Sequence, residues 1–122
     1  MLDVHREELP KSYLLVLAPS TAEPDELKLT RALHRASRSA KRAIWVDCSL
    51  LDHLSTEAID LLLAYAYMLH CQARRLVLCH VPDKVRHHFL DLDEESQPLV
   101  VPSLLDAEYI SRDLPPSSAS AA

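Results

Sequence analysis

Glycine and asparagine are both absent from the 122 residues of this chain. These two residue types adopt positive φ angles at the lowest cost, so we expect the turns to use proline, aspartate and serine with negative φ. The absence of glycine also excludes three kinds of site: the Walker phosphate loop, the GxGxxG dinucleotide turn and the GxSxG nucleophile elbow. Most glycine-dependent nucleotide and acyl-transfer chemistry is therefore ruled out.

Excess basic charge and long apolar runs are lacking as well. The formal net charge is −5 and the isoelectric point is near 5.7, whereas proteins that bind nucleic acids or anionic membranes carry a net basic field. The longest apolar run, residues 61–69, is well short of the roughly 20 residues that span a bilayer. Residues 1–10 also lack the apolar segment of a secretory signal. We therefore expect a cytoplasmic protein that neither binds nucleic acid nor inserts into a membrane.

The chain contains three cysteines, Cys48, Cys71 and Cys79. Three is an odd number, and a chain with 48% hydrophobic residues can bury a core without covalent cross-links. We therefore expect reduced thiols that pack as small hydrophobic side chains.

The hydrophobic pattern predicts one α/β domain over residues 1–114. Strands are predicted near the N-terminus and at residues 12–18, 43–48, 75–81 and 99–101, and helices after Pro24 as far as Ala40, from Ser55 to about Ala73, from Pro82, and from Ser103 through Ile110. Two strands followed by alternating helices and strands indicate a mixed, largely parallel sheet of four to five strands with about four helices. Residues 115–122 lack core-forming side chains and are predicted to be a disordered tail.

One segment within residues 43–63 resembles a known family. Asp47 ends a predicted buried strand, and after a short loop Ser55-Thr56-Glu57-Ala58-Ile59 opens an apolar helix. This arrangement resembles the signature of the STAS family, the sulphate transporter and anti-sigma factor antagonist domains, in which a strand ending in Asp precedes an Asp-Ser-Ser-Gly-Leu type helix opening. Residues 75–81 and 99–107 also resemble the family. The chain departs from the pattern at Ser55, Glu57 and Ala58, where the family has Asp, a small residue and Gly.

The resemblance implies a STAS-like fold and a non-enzymatic regulatory module that binds a protein partner. In bacterial anti-sigma factor antagonists, a kinase that is itself the anti-sigma factor phosphorylates the hydroxyl residue at the helix opening, and the phosphate prevents their association. The resemblance places phosphorylation on Thr56, with Ser55 as a second candidate. Partner binding is expected at Asp52, His53, Ser55, Thr56 and Glu57. Alternatively, Ser55 and Thr56 only cap the helix and Glu57 only complements its dipole.

Two other functions stay open at this point. Some bacterial STAS proteins resemble this chain and serve as accessory subunits of lipid-transport ABC complexes, where they contact the ATPase subunit. The chain could also be a degenerate STAS scaffold that only forms a homodimer. The helix after Ser55 is apolar on more than one side, so it packs between the sheet and a neighbouring helix or contacts a partner. Each of these functions involves a protein partner, and none requires a cofactor.

Three pairs of possible metal ligands occur in the sequence: His70-Cys71, Cys79-His80 and His87-His88. The predicted strand should separate the first two pairs, and adjacent residues on a helix point in different directions, so we expect no metal site. Thr56 and His53 form the single local pair of nucleophile and base. Because no third group is evident to orient them, we expect no enzymatic activity.

Four arginines form a basic stripe along the first predicted helix. Arg31, Arg35, Arg38 and Arg42 recur at intervals of three or four residues, which places them on one helix face. Such a stripe could dock phosphates or an acidic partner. Because the chain is acidic overall, we favour a solvated helix face.

Overall fold

The chain forms a five-stranded mixed β-sheet with helices packed against it. The computed structural model describes residues 2–19, 25–90 and 98–107. The elements are β1 Leu2–Glu8, β2 Ser12–Pro19, α1 Asp25–Ser37, β3 Ala43–Asp47, α2 Thr56–Cys71, β4 Arg75–Cys79, α3 Asp83–Leu90 and β5 Leu99–Val101. Residues 104–107 are helical as well. The predicted order of two strands followed by alternating helices and strands is confirmed.

The strands lie side by side in chain order. β1 is antiparallel to β2, and all the other neighbours are parallel. Each crossover from β2 onwards advances by one strand in the same direction, so right-handed crossovers place α1, α2 and α3 on one face of the sheet. Asp47 lies between Val16 and Cys79 in the register. We call this end of β2, β3 and β4 the carboxyl edge, and the opposite end, where Ser12 pairs with Ala43, the amino edge.

The helix-facing side of the sheet holds the larger core. Alternate residues of the three central strands point towards the helices, as the two-residue period of a strand requires. This core includes Leu15, Leu17, Ile44, Val46, Leu76 and Leu78 from the strands, Leu29, Leu33 and Ala36 from α1, Ala58, Ile59, Leu62, Ala66 and Leu69 from α2, and Val85 and Phe89 from α3. α2 packs against both α1 and β4. The chain itself therefore covers most of the apolar surface of α2, although Tyr67 is 54% exposed.

The second face of the sheet is also buried. Its core consists of Leu14, Ala43, Trp45, Val77, Cys79 and Val101, together with Ala107. Burial on both faces explains why β3 and β4 are almost continuously apolar and do not alternate with polar residues.

The turns contradict the expectation of negative φ angles. Ala40, Ala73 and His80 have φ angles of 64°, 59° and 55°, in the left-handed region that costs a residue with a Cβ about 1–2 kcal/mol. The end of α2 shows the reason. The N–H of Ala73 donates to the carbonyl of His70 at 3.0 Å and the N–H of Arg74 donates to that of Leu69 at 2.8 Å, the bond pair of a Schellman motif. This motif needs a left-handed residue, and in a chain without glycine alanine occupies the position.

Arg74 joins three segments at the amino edge. Its Nε donates to the carbonyl of Lys41 at 2.8 Å, and its Nη1 donates to the carbonyl of Ser37 at 2.7 Å and to Oε1 of Gln72 at 3.0 Å. The side chain is 8% exposed, and burial lowers the pKa of its guanidinium. Because Ser37 is the last residue of α1, the positive charge lies at the negative end of that helix dipole. Arg74 therefore fixes the end of α1 against β3 and α2.

Several predicted boundaries need correction. α1 ends at Ser37 and not at Ala40, because the chain turns there. Arg42 consequently lies just before β3 and not on the helix, so the predicted four-arginine helix stripe is wrong at its end. Cys48 and Cys79 are buried as predicted, but Cys71 is exposed because it occupies the outer side of the last turn of α2. The terminal helix beyond residue 107 and the tail at 115–122 lie outside the described residues.

Within the described segments, no helix is both long enough and apolar enough to cross a membrane.

Candidate functional site

Asp47 shapes the loop that leaves β3 at the carboxyl edge. The side chain is buried, and its Oδ1 accepts from the N–H of Ser49 at 3.0 Å while its Oδ2 accepts from the Ser49 hydroxyl at 3.1 Å. A carboxylate that bonds two residues ahead forms an Asx turn, which reverses the chain without glycine. The N–H of Cys48 also donates to the carbonyl of Cys79 at 2.9 Å. These bonds fix the start of the loop against β4.

Two leucines anchor the middle of the same loop. Leu51 and Leu54 are 9% and 2% exposed and belong to the helix-facing core. Between and beside them, Leu50 is 57% exposed, and Asp52 and His53 are exposed as well. The loop therefore presents a mixed apolar and polar surface on a backbone that is held at several points.

The loop ends where Ser55 caps α2. Ser55 has extended backbone angles of φ −68° and ψ 159°, and its Oγ accepts from the N–H of Ala58 at 3.1 Å. This is the bond expected of an N-cap residue. The Ser55 side chain is half-buried, whereas Thr56, the first residue of α2, and Glu57 are exposed. The predicted cap is confirmed, and the two residues differ: the Ser55 hydroxyl holds the helix end, whereas Thr56 is exposed and does not cap the helix.

The exposed charged residues nearest to Thr56 in sequence are acidic. Asp52, Glu57 and Asp60 are all exposed and lie within four residues of Thr56 in sequence. The free N–H groups and the dipole at the start of α2 favour negative charge, which stabilises Glu57 in the first turn. We call the surface formed by Leu50, Asp52, His53, Ser55, Thr56 and Glu57 the docking rim.

Two thiols lie beneath this edge of the sheet. Burial raises the pKa of Cys48 to about 12, and the neighbouring Asp47 carboxylate adds to the shift. Burial raises the pKa of Cys79 to about 12 too, with further contributions from Asp47 and Asp106. Both cysteines are therefore neutral thiols at physiological pH. A neutral, fully buried thiol is a poor nucleophile and a poor metal ligand.

The suspected metal pairs are separated as the sequence predicts. His70 and Cys71 lie at the end of α2 near the amino edge, whereas Cys79 ends β4 at the carboxyl edge. His87 and His88 differ from expectation: their ring centroids are 4.1 Å apart with a tilt of 35°, because side-chain rotation brings neighbouring rings together. Among the described residues, no group of three or more possible ligands could hold a metal ion.

The structure places the predicted docking residues along one continuous stretch at the carboxyl edge. Among the described residues, no hydrogen bond joins His53 to Thr56. The suspected nucleophile and base are therefore not paired. Leu50 is an exposed apolar residue of this surface that the sequence pattern does not single out. The sequence shows two adjacent leucines after a buried strand, and only the fold distinguishes buried Leu51 from exposed Leu50.

Comparisons with known proteins identify the fold. Neither the family models nor the curated proteins include a match to this chain. Among solved structures, a serine-to-glutamate variant of RsbS from Moorella thermoacetica matches with a TM-score of 0.73 and 14% identity, over 91% of this chain and 96% of that one. The NMR structure of the protein TM1081 matches with a TM-score of 0.66 and 11% identity, over 88% of this chain and 87% of that one. RsbS has the STAS fold. The chain therefore has the STAS-like α/β fold that its sequence resembles.

Proposed function

We propose that this chain is a non-enzymatic regulatory module of the anti-sigma factor antagonist type, which binds a protein partner in the bacterial cytoplasm through the docking rim. The observation that carries this proposal is that Thr56, a hydroxyl residue, is exposed at the first position of α2, beside an anchored loop at the carboxyl edge. The fold shared with RsbS supports the same class of function.

The anchoring of the loop supports a binding role. The Asp47–Ser49 hydrogen bonds and the buried Leu51 and Leu54 restrict the backbone before any partner arrives. A surface that is already ordered loses less conformational entropy on association, which favours affinity. The exposed Leu50 supplies apolar surface within the rim, and interface cores are enriched in such surface.

The surroundings of Thr56 support its use as a phosphorylation switch. A phosphate adds nearly two negative charges at pH 7, on a residue that lies within four positions of the exposed carboxylates of Asp52, Glu57 and Asp60. The start of α2 stabilises the phosphate in the free protein. A partner that covers the rim must instead remove water from this cluster of negative charge, which is costly unless the partner supplies matching positive groups. Phosphorylation of Thr56 is therefore expected to weaken association. Ser55 is the less suitable site because its hydroxyl already caps the helix.

The proposal is tested by capturing partners from a lysate of the source bacterium with the tagged chain and mapping phosphorylation by mass spectrometry. We expect a kinase-like regulator in the eluate and phosphate on Thr56, with the Thr56→Val variant remaining unmodified at this position. Recovery of transporter ATPase subunits would instead support an accessory role in a lipid-transport complex. A homodimer by light scattering, with neither partner present, would indicate a scaffold and would overturn the proposal.

A further inference from the structure

An open groove lies at the amino edge of the sheet, at the opposite end from the docking rim. It has a volume of about 760 Å³ and is lined by Arg6 and Glu8 of β1, Tyr13 of β2, and His34, Arg35 and Arg38 at the end of α1. Tyr13 pairs with Ile44 near the start of β3, whereas Asp47 ends that strand. A ligand in this groove would therefore not contact Thr56 directly.

The groove is basic although the whole chain is acidic. Three exposed guanidinium groups, those of Arg6, Arg35 and Arg38, converge on it from a strand and a helix end. None of the three makes a side-chain hydrogen bond or ion pair with a residue in the described segments. The one carboxylate in the lining, Glu8, lies 3.6 Å from the ammonium group of Lys41. The groove thus holds unneutralised positive charge in a chain whose net charge is −5.

The end of α1 would normally repel an anion, because its last carbonyls carry the negative end of the helix dipole. Here three of those carbonyls already accept hydrogen bonds from side chains. The Ser37 hydroxyl donates to the carbonyl of His34 at 2.6 Å, the Ser39 hydroxyl donates to that of Ala36 at 2.6 Å, and Arg74 donates to that of Ser37 at 2.7 Å. The buried charge of Arg74 also offsets the dipole at this point. The carbonyls at the end of α1 are therefore less available to repel an anion, and Arg6, Arg35 and Arg38 supply the exposed positive charge of the groove.

We propose that this groove binds a small organic molecule that carries a phosphate group. Its volume lies within the range of about 300–1,000 Å³ that is typical of small-molecule sites. Guanidinium groups match the oxygens of a phosphate with paired hydrogen bonds, which a single ammonium group cannot do. Tyr13 is only 5% exposed, so the groove lacks the exposed aromatic anchor that is typical of a protein interface.

Amide chemical shifts measured by NMR during titration test this proposal. The probes are glucose 6-phosphate, unphosphorylated glucose and a hexaglutamate peptide, at constant ionic strength. We expect glucose 6-phosphate to give saturable shifts at Arg6, His34 and Arg38, with an affinity at least about tenfold higher than that of glucose. The amides of the docking rim should move little.

Matched charge variants identify which arginines bind the phosphate group. The Arg35→Gln/Arg38→Gln variant and, separately, Arg6→Gln on the strand should each weaken glucose 6-phosphate binding by about tenfold or more. Arg86→Gln removes an exposed arginine on α3, outside the groove, and should change the affinity by less than about twofold.

Three results would overturn the proposal. These are the absence of saturable shifts with glucose 6-phosphate, an equal loss of affinity in Arg86→Gln, and tighter binding of hexaglutamate at the same amides. The last result would assign the groove to an acidic protein segment.

Discussion

The two edges of the sheet each contain a buried charged side chain, but these side chains act over different distances. At the carboxyl edge, Asp47 accepts both of its hydrogen bonds from Ser49, two residues further along the chain. At the amino edge, Arg74 donates to Ser37, Lys41 and Gln72 and so connects three segments. The charged side chain at the first edge therefore acts within the loop that follows β3, whereas the one at the second edge connects the end of α1 and the start of β3 to the end of α2. The exposed residues of the loop lie beside buried Leu51 and Leu54, which hold it to the core, so a partner can contact this surface without breaking those contacts.

The same contrast extends to the surface charge. The carboxyl edge exposes Asp52, Glu57 and Asp60 around Thr56, whereas the amino edge exposes arginines around an open groove. Two surfaces of opposite sign at opposite ends of one sheet attract different ligands. This contrast is consistent with the two proposals, a protein partner at the carboxyl edge and a phosphate-bearing molecule at the amino edge.

The largest effect that we expect concerns the thiols near the carboxyl edge. Burial raises the pKa of Cys48 and of Cys79 from 9.0 to about 12. Between pH 9 and about pH 12, these two thiols lose their protons in the unfolded chain but keep them in the folded protein. The free energy of unfolding should therefore fall as the pH rises above 9, with a slope that approaches about 1.4 kcal/mol per pH unit for each thiol above pH 10. Below pH 9 these thiols should contribute no pH dependence. Urea denaturation at pH 7, 9 and 10 measures the change.

A pair of cysteine variants separates the effect of the buried thiols from the effects of other groups that titrate in the same pH range. Cys48→Ala removes one buried thiol and should make the loss of stability above pH 9 shallower. Cys71→Ser removes the exposed thiol near the amino edge and should leave the slope unchanged. Equal slopes in all three proteins would show that the buried thiols do not titrate differently on unfolding.

The next effect concerns the amino edge. Arg74→Met keeps much of the side-chain bulk but leaves the carbonyls of Ser37 and Lys41 without their donor. We expect the free energy of unfolding to fall by about 3 kcal/mol, because two partly buried carbonyls lose a charged donor. Arg74→Lys keeps the charge but cannot reach all three acceptors, so its loss should be smaller, about 1–2 kcal/mol. Urea denaturation at pH 7 measures both, and a Met variant as stable as the parent protein would contradict the role of Arg74 as a connection between elements.

The smallest effect concerns the helix ends in a chain without glycine. Ala73→Gly relieves the left-handed strain after α2 and should raise the free energy of unfolding by about 0.5–1 kcal/mol, after the entropy of glycine in the unfolded chain is included. Ala64 is exposed in the middle of the same helix, and Ala64→Gly should lower stability by about 1 kcal/mol. Thermal denaturation compares the two variants. A change of the same sign in both would mean that the φ angle of Ala73 is not under strain.

Local sequence signals predict much of the fold and part of the site. Ser55 indicates the start of α2, because an N-cap residue bonds a backbone N–H in the first turn of its own helix. Asp47 indicates the end of β3, because the apolar run stops there. The sequence does not predict the positive φ of Ala73, which depends on how the chain must leave α2 to enter β4. It also does not distinguish Leu50 from Leu51, or bring Arg6 close to Arg35. These features depend on contacts between distant segments, which no local pattern encodes.

The central claim is that a partner binds at Thr56 on the carboxyl edge and that negative charge there prevents association. The direct measurement is the affinity of the captured partner for Thr56→Glu, Thr56→Val and Arg35→Gln/Arg38→Gln, by surface plasmon resonance. We expect Thr56→Glu to weaken binding by about 30-fold or more, while Thr56→Val and the arginine variant stay within about threefold of the parent protein. Unchanged binding by Thr56→Glu, or an equal loss in the arginine variant at the opposite edge, would contradict this account.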